Sequence, residues 1–149
     1  LGLSGSVKFR HLTVKKFRLM YQMLYYISGP IAFMPNKNKE AFDQAAKELM
    51  NLNVQYINPL DLDELDPLPQ TDNNHDLNYL NLLRRDITYL MSCDGVVVLP
   101  GWEASRGATL EVLLAIKLDM PIFKLNNKVL EKVHIAADVA LTPLFPSFL

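Results

Sequence analysis

From residue 24 onward, short apolar runs rich in β-branched or aromatic residues alternate with longer segments in which apolar residues recur at helical spacing. This alternation is typical of β–α–β units, in which crossover helices join parallel strands. It predicts strands at 24–28, 54–57, 94–99 and 121–124, and helices at 39–52, 76–91 and 107–118. The strand at 94–99 is apolar throughout, which is typical of a strand buried on both faces of a parallel sheet.

Two of the predicted helices carry an apolar face, as helices packed on a sheet do. The face of the first helix consists of Phe42, Ala45, Ala46, Leu49 and Met50. The second helix, capped by Asn74 or Asp76, has a face made of Leu80, Leu83, Ile87, Leu90 and Met91. We therefore expect an α/β fold, a doubly wound open parallel sheet of four to five strands flanked by helices, of the flavodoxin or Rossmann type.

Three segments lie outside this alternation. The acidic, proline-containing stretch 60–75 is expected to be a loop. Segment 129–140 fits either a helix or a strand with a turn, and the apolar, proline-broken tail 143–149 should dock on its own domain or on a second subunit. Residues 1–22 contain five Lys or Arg and no acidic residue, which indicates a basic arm or leader before a single domain at 23–149.

Composition narrows the class of protein. A chain of 149 residues that is half apolar can bury the core of one domain. Its net charge of −1 and isoelectric point near 6.3 disfavour nucleic acid and anionic membranes as partners and favour a small molecule or a protein. Cys93 is the single cysteine, which excludes an internal disulfide framework and fits a reducing compartment. We expect a cytoplasmic protein without a membrane span and without a cofactor. We also expect no bound metal, since no Cys or His cluster has metal-ligand spacing.

Candidate site residues follow from the predicted topology, because open α/β sheets bind ligands beyond the carboxyl ends of their strands. The loops after the first three strands and the start of the last helix supply the candidates Tyr26, Ser28, Gly29, Pro30, Phe33, Asn58, Trp102, Ser105, Arg106, Gly107 and Glu111. Asp86, on the preceding helix, can reach the same crevice. Phe33 or Trp102 would stack on a base or simply pack.

Glu111 interrupts an apolar helix, where an unpaired carboxylate is costly to bury. The helix N-terminus would relieve this cost, because its dipole and free amides favour negative charge in the first turn. A poorly solvated, ionised carboxylate beside a crevice suits a nucleophile. The alternative is that Glu111 complements the dipole on an exposed strip.

The loop 101–107 is suited to bind an anion. It offers backbone amides at a helix N-terminus, the Ser105 hydroxyl and Arg106, with glycines that allow close approach. A phosphate would fit there. Ser105 could instead serve only as the helix cap.

Five motifs in order carry a family resemblance: 26–31 (YISGPI), Asn58-Pro59, Arg85-Asp86 with Cys93-Asp94, 99–102 (LPGW) and 105–111 (SRGATLE). Together they closely resemble a family of bacteriophage and bacterial proteins, of the DUF4406 type, within the nucleoside 2-deoxyribosyltransferase superfamily. The resemblance covers roughly residues 24–124.

The resemblance implies a hydrolase or transferase that cleaves or exchanges the N-glycosidic bond of nucleosides or nucleotides. Glu111 would attack the anomeric carbon, Asp86 would handle the proton of the departing base, and Tyr26 and Gly29 would line the sugar site. Serine at position 105 is similar to the members that act on 5′-monophosphates, with Arg106 as an extra phosphate partner. The resemblance also implies a homo-oligomer with shared active sites. The alternatives are a module that binds or sequesters a nucleotide or an ADP-ribose-type ligand without turnover, and an assembly component that reuses the fold as a scaffold.

Overall fold

The computed structural model describes residues 23–71 and 73–135, which form one five-stranded sheet with four α-helices. The strands are β1 (Leu24–Ser28), β2 (Gln55–Ile57), β3 (Gly95–Val98), β4 (Ile122–Asn126) and β5 (Val129–Val133). The helices are α1 (Lys39–Asn51), α2 (Leu62–Leu65), α3 (His75–Met91) and α4 (Arg106–Lys117). Short 3-10 turns lie at Pro35–Asn38 and Trp102–Ala104.

The strand order is β2-β1-β3-β4-β5, which is the flavodoxin-like order. The first four strands are parallel to their neighbours, and β5 pairs antiparallel with β4 at the edge. This confirms the doubly wound α/β fold. The order reverses between β1 and β3, so the crevice of such a sheet opens beyond the carboxyl ends of these two strands.

Helices pack on both faces of the sheet and divide its core into two layers. Tyr26 belongs to the layer under α3 and α4, together with Val96, Val98, Trp102, Ala108 and Val112. Tyr25 and Ile27 belong to the layer under α1, together with Phe42, Leu49, Val97 and Leu99. Because side chains alternate along a strand, β1 therefore presents Tyr26 and Ser28 to the α4 side.

Most predicted boundaries agree with the structure within a residue or two, and Asn74 is the cap of α3, accepting a hydrogen bond from the Leu77 amide. The expectation that 60–75 is entirely loop is wrong, because residues 62–65 form α2. Segment 129–140 begins as a strand, β5, which pairs with β4 through a short hairpin. Residues 1–22 and the tail 143–149 lie outside the described residues, so the predictions for them stay predictions.

Some residues of the predicted apolar faces are exposed. Met50 is 62% exposed because it lies at the edge of the α1 stripe that Phe42 to Leu49 bury. Leu80 and Met91 are 45% and 44% exposed. In their place α3 buries Arg85, which finds hydrogen-bond acceptors on α2 and the segment after it. No helix within the described ranges is long and apolar enough to cross a membrane.

Candidate active site

Glu111 lies on the inner side of α4, facing β1, and is only 6% exposed. The Tyr26 hydroxyl donates a hydrogen bond to its Oε1 at 2.8 Å, and the Ser28 hydroxyl donates one to its Oε2 at 2.5 Å. Tyr26 and Ser28 are two residues apart on one strand, so their side chains project from the same face of the sheet. Both carboxyl oxygens of Glu111 are therefore held by β1.

This arrangement corrects two expectations about Glu111. It is the sixth residue of α4, and the first turn of that helix holds no acidic residue, so the helix N-terminus is not its partner. Two hydroxyls from the sheet replace the expected backbone amides. The alternative of an exposed strip is also wrong, because the side chain is buried.

Burial controls the protonation of this group. It raises the pKa of the Glu111 carboxyl to about 8, and the nearby Asp86 charge adds to the rise, while the Ser28 and Tyr26 hydroxyls oppose it. Burial also raises the pKa of the Tyr26 phenol, with further contributions from Glu111 and Asp86. The Asp86 charge thus contributes to the raised pKa of both Glu111 and Tyr26.

Asp86 reaches this environment from α3, with a side chain that is 13% exposed. Burial raises the pKa of the Asp86 carboxyl to about 6, and the Arg85 guanidinium opposes that rise. Two neighbouring carboxyls with pKa values displaced upward by different amounts are typical of acid–base pairs in active sites.

The loops after β1 and β3 meet through two glycines. A Cβ on Gly29 would lie 2.8 Å from the Leu99 Cβ, and a Cβ on Gly101 would lie 3.7 Å from the Pro30 ring. Gly101 also has a φ of 83°, a left-handed conformation that glycine adopts at little cost. Gly29 and Pro30 are both buried, so their direct contribution is to let the two loops close on each other.

The start of α4 is organised by Ser105. Its hydroxyl accepts a hydrogen bond from the Ala108 amide at 3.2 Å, which is the cap geometry considered from the sequence. Arg106 follows as an exposed first residue of the helix. Gly107 lies near α3, where an added Cβ would be 3.6 Å from the Tyr79 hydroxyl. The hydroxyl proton of Ser105 and the charge of Arg106 are what this turn can offer an anion.

The remaining three candidates have different surroundings. Trp102 is 6% exposed and packs in the core layer under α3 and α4, so packing is its role in this structure. Asn58 is buried and accepts a hydrogen bond from the Leu60 amide at 3.0 Å, which holds the turn after β2. Phe33 is fully exposed, with a left-handed φ of 63°, on the loop after β1. Of the three, Phe33 alone presents a free aromatic face.

Arg85 is the residue of this region whose importance the sequence did not reveal. It is 7% exposed and donates hydrogen bonds to Asp63 and Asp86, and to the backbone carbonyls of Leu62 and Asp66. Arginine on an amphipathic helix is ordinarily assigned to the solvated face, so periodicity gives no signal for a buried one. The adjacent Arg85-Asp86 motif was the available hint.

A cavity of about 440 Å³ lies beside α3, lined by residues of that helix and of the segment after α2, among them Asp66, Leu68, Thr71, Arg84 and Tyr89. Arg85 also lines it, whereas Tyr26, Ser28 and Glu111 do not. The cavity therefore does not include the Glu111 carboxyl or the two hydroxyls that bind it.

Residues 23–124 match the model of a family described as a domain of unknown function, DUF4406. No curated protein shows significant sequence similarity to the chain. The matched range contains β1 to the middle of β4, and with them every candidate site residue.

Proposed function

The chain belongs to the DUF4406 family, and we propose that it cleaves or transfers the N-glycosidic bond of a nucleoside or deoxynucleoside 5′-monophosphate, with Glu111 as the nucleophile. The observation that carries the proposal is the buried Glu111 carboxyl, whose two oxygens are held by Tyr26 and Ser28 beside the point where the strand order reverses. A fixed carboxylate of this kind has its attacking geometry set before the substrate arrives, which is a large part of what a nucleophile requires.

The chemistry has a balanced route through these residues. A Glu111 oxygen forms a bond to the anomeric carbon as the bond from that carbon to the base nitrogen breaks, through an oxocarbenium-like state. Asp86 gives a proton to the departing base, and its carboxylate then accepts a proton from the water or second base that resolves the glycosyl ester. Tyr26 and Ser28 keep the Glu111 carboxyl oriented. The Tyr26 hydroxyl can keep its hydrogen bond to Oε1 as the charge on that oxygen changes during the reaction.

The two carboxyls together hold the number of protons that this division of roles requires. With pKa values of about 8 for Glu111 and about 6 for Asp86, the pair carries one proton at neutral pH. The reacting form has that proton on Asp86. Glu111 then loses its negative charge as it bonds to the anomeric carbon, and Asp86 becomes ionised as it gives its proton to the departing base.

A monophosphate is the proposed substrate because of the start of α4. The Ser105 hydroxyl and the Arg106 side chain lie beside the free amides of the first turn, where the helix dipole favours an anion. Phe33 provides an exposed aromatic ring on the opposite loop for the base.

The test is incubation with a panel of ribonucleoside and deoxyribonucleoside monophosphates and the matching nucleosides, followed by chromatography of free base. We expect release from at least one monophosphate, a loss of at least 10³-fold in Glu111→Gln, and a smaller loss in Asp86→Asn. The matched control is Glu103→Gln, an exposed glutamate in the turn before α4, which should retain full activity. Absence of release from every compound would reject the proposal.

Position 105 gives a second test that separates the cap from phosphate recognition. Ser105→Asp retains a cap acceptor but places a negative charge beside the phosphate, so it should leave thermal stability nearly unchanged and lower kcat/KM for monophosphates at least tenfold more than for nucleosides. Ser105→Ala should lower the unfolding free energy by about 1 kcal/mol through loss of the cap. Equal effects of Ser105→Asp on both substrate classes would contradict phosphate binding at this turn.

A second function is favoured by one observation, the raised pKa of Glu111. A carboxyl with a pKa of about 8 is mainly protonated at neutral pH, and the acid form does not attack. A module that binds or sequesters a nucleotide or an ADP-ribose-type ligand without turnover would have no conflict with this state. Calorimetry with the same panel decides: tight binding without base release, with affinity unchanged in Glu111→Gln, would establish the module.

We further propose that the protein acts in the cytoplasm as a homo-oligomer with shared sites. The assembly is supported by exposed apolar side chains on α3 and at the end of α4, such as Leu80, Met91 and Leu118. Light scattering coupled to size exclusion tests the assembly, and a monomer at micromolar concentration would reject it.

A further inference from the structure

The Arg85 guanidinium has five N–H donors, and each has a partner in this structure. Nε donates to Asp86 Oδ1 at 3.1 Å, and Nη2 donates to the same oxygen at 3.0 Å and to Asp63 Oδ1 at 3.0 Å. Nη1 donates to the Leu62 carbonyl at 3.1 Å and to the Asp66 carbonyl at 3.2 Å. A saturated guanidinium with a side chain only 5% exposed has no freedom to rotate without losing several of these bonds.

This network is not an ordinary contact between sequence neighbours. Adjacent residues on a helix project about 100° apart and do not normally face each other. Arg85 turns back to Asp86 because Nη1 is anchored on the two carbonyls contributed by α2 and the residue after it. The position of the Asp86 carboxyl on α3 therefore depends on α2, which lies more than 20 residues earlier in the chain.

The two oxygens of Asp86 are left in different states. Oδ1 accepts two hydrogen bonds from Arg85, whereas Oδ2 accepts none from the residues that the structure describes. Within those same residues no fully buried side-chain oxygen or nitrogen lacks a partner, so Oδ2 retains contact with solvent. Oδ2 is thus the Asp86 oxygen that remains without a hydrogen-bond partner from the described residues.

Several charged or titratable groups act on Asp86 from the elements packed around it. The Asp86 charge raises the pKa values of Tyr26 on β1 and of Glu111 on α4. Asp63 acts on it from α2 and Arg85 from its own helix. Burial raises the pKa of the Asp86 carboxyl and Asp63 adds to the rise, while Arg85 lowers it by charge and by hydrogen bonding.

We propose that Arg85 is a positioning residue, which holds Asp86 Oδ1 against α2 so that Oδ2 points to the ligand for proton exchange with the departing base. This inference rests on the proposed function and adds to it the residue that orients the acid. Asp63 also takes part in this positioning, because it accepts a hydrogen bond from Nη2 of Arg85 and forms an ion pair with Lys37 at 3.3 Å.

The first test does not require activity. The Asp86 side-chain carboxyl is titrated by ¹³C NMR in the unmodified protein and in Arg85→Gln, Arg84→Gln and Asp63→Asn. Arg85→Gln should raise the Asp86 midpoint by about one pH unit, because the opposing charge and both hydrogen bonds are removed. Arg84→Gln is the matched control, since Arg84 is the exposed neighbour on the same helix, and it should leave the midpoint within about 0.3 unit.

Asp63→Asn should shift the Asp86 titration midpoint in the direction opposite to Arg85→Gln. It removes a negative charge and leaves Nη2 of Arg85 more available to Asp86, so the midpoint should fall. The Asp63 side chain is 38% exposed, so Asp63→Asn should fold even if Arg85→Gln does not. It then tests the positioning role of Arg85 by itself. A rise in Asp63→Asn, or equal shifts in Arg85→Gln and Arg84→Gln, would overturn the proposal.

The second test separates orientation from charge. Arg85→Lys retains the positive charge but loses the planar fork that binds two groups at fixed angles. We expect at least a tenfold lower kcat with little change in KM, while the Asp86 midpoint stays closer to that of the unmodified protein than in Arg85→Gln. Full kcat in Arg85→Lys would contradict a positioning role. An inactive parent protein with the expected NMR shifts would reject the proposed function and leave the orientation of Asp86 established.

Discussion

Glu111 combines deep burial with two neutral hydrogen-bond donors. A carboxylate in an apolar environment is expensive, and hydroxyl donors offset only part of the lost hydration. The raised pKa of the Glu111 carboxyl, about 8, results from this deficit in hydration. The protein thus keeps a residue that destabilises the folded state at neutral pH, which is the usual sign of a functional group.

This deficit predicts how stability depends on pH. Between the usual pKa of 4.5 and about 8 the folded state retains the Glu111 proton and the unfolded state loses it, so the unfolding free energy falls as pH rises. Each unit of difference contributes about 1.4 kcal/mol at most. Glu111→Gln, whose amide can still accept from Tyr26 and donate to Ser28, should be more stable than the parent at pH 8 and nearly equal to it below pH 4.5.

Urea unfolding at pH 4.5, 6 and 8 measures this effect. Asp86 is present in both proteins, so its own pH dependence cancels in the difference to first order. A stability difference between Glu111→Gln and the parent that does not grow with pH would show that Glu111 is ionised in the folded state throughout.

The same two carboxyls predict the shape of the pH–activity profile. Below pH 6 both hold protons and Glu111 does not attack, and above pH 8 both are ionised and Asp86 has no proton to give. We expect a bell-shaped kcat/KM with limbs near pH 6 and pH 8. Base release measured from pH 5 to pH 9 checks it, and a profile that is flat across this range would exclude the proposed acid–base pair.

At the scale of elements, the close approach of the loops after β1 and β3 is the most constrained contact near the site. The Ser28 carbonyl accepts a hydrogen bond from the Leu99 amide at 2.8 Å, and Gly29 packs directly on the Leu99 side chain. Any side chain at position 29 must displace Leu99, which belongs to the buried layer under α1.

Two glycine substitutions should therefore have opposite effects. Gly29→Ala places a Cβ 2.8 Å from the Leu99 Cβ and should lower the unfolding free energy by about 1–3 kcal/mol. Gly107→Ala, in the first turn of α4, meets nothing closer than 3.6 Å and should be neutral or stabilising by up to about 1 kcal/mol, since alanine is the better helix former. Thermal denaturation of the pair decides, and equal effects would contradict the packing described for the two loops.

The burial pattern of α3 is also set between elements. Its apolar residues Leu80 and Met91 remain exposed while Arg85 is buried, because α2 and the segment after it provide two carbonyls and Asp63 as acceptors. The pattern of apolar positions along a helix carries no information about hydrogen-bond acceptors on other elements. The buried face predicted for this helix was therefore partly wrong.

At the scale of the whole molecule, the described part of the chain contributes residues from Met23 to Ile135 to the two core layers. The family match begins at residue 23, one residue before β1. The basic stretch 1–22 was predicted to be an appendage. Deleting it should leave the thermal midpoint of unfolding within about 2 °C of the full chain and leave base release unchanged.

Differential scanning calorimetry of the two proteins at equal concentration measures this. The control is deletion through residue 28, which removes β1 from between β2 and β3 and should prevent folding. A loss of many degrees on removal of residues 1–22 would show that the stretch belongs to the folded domain.

The local elements were predictable because they depend on local patterns. Strand β1 was predicted at its observed bounds, and α1 differs by one residue, since short apolar runs, helical periodicity and the Asn74 cap are visible in short windows. The short helix α2 was missed because four residues leave no periodicity to read. Glu111 and Asp86 were identified as candidates together, and their chemical roles stay predictions.

The sequence by itself therefore determined the alternation of strands and helices, the α/β class and the position of an anomalous carboxylate in an apolar helix. Only the tertiary structure decided what surrounds that carboxylate. The hydroxyls of Tyr26 and Ser28, which lie 85 and 83 residues away in the chain, meet Glu111, and Arg85 meets α2, because the sheet order β2-β1-β3-β4-β5 brings these elements together. The free energy of burying a charge depends on such long-range partners, which no local pattern of hydrophobic and polar residues encodes.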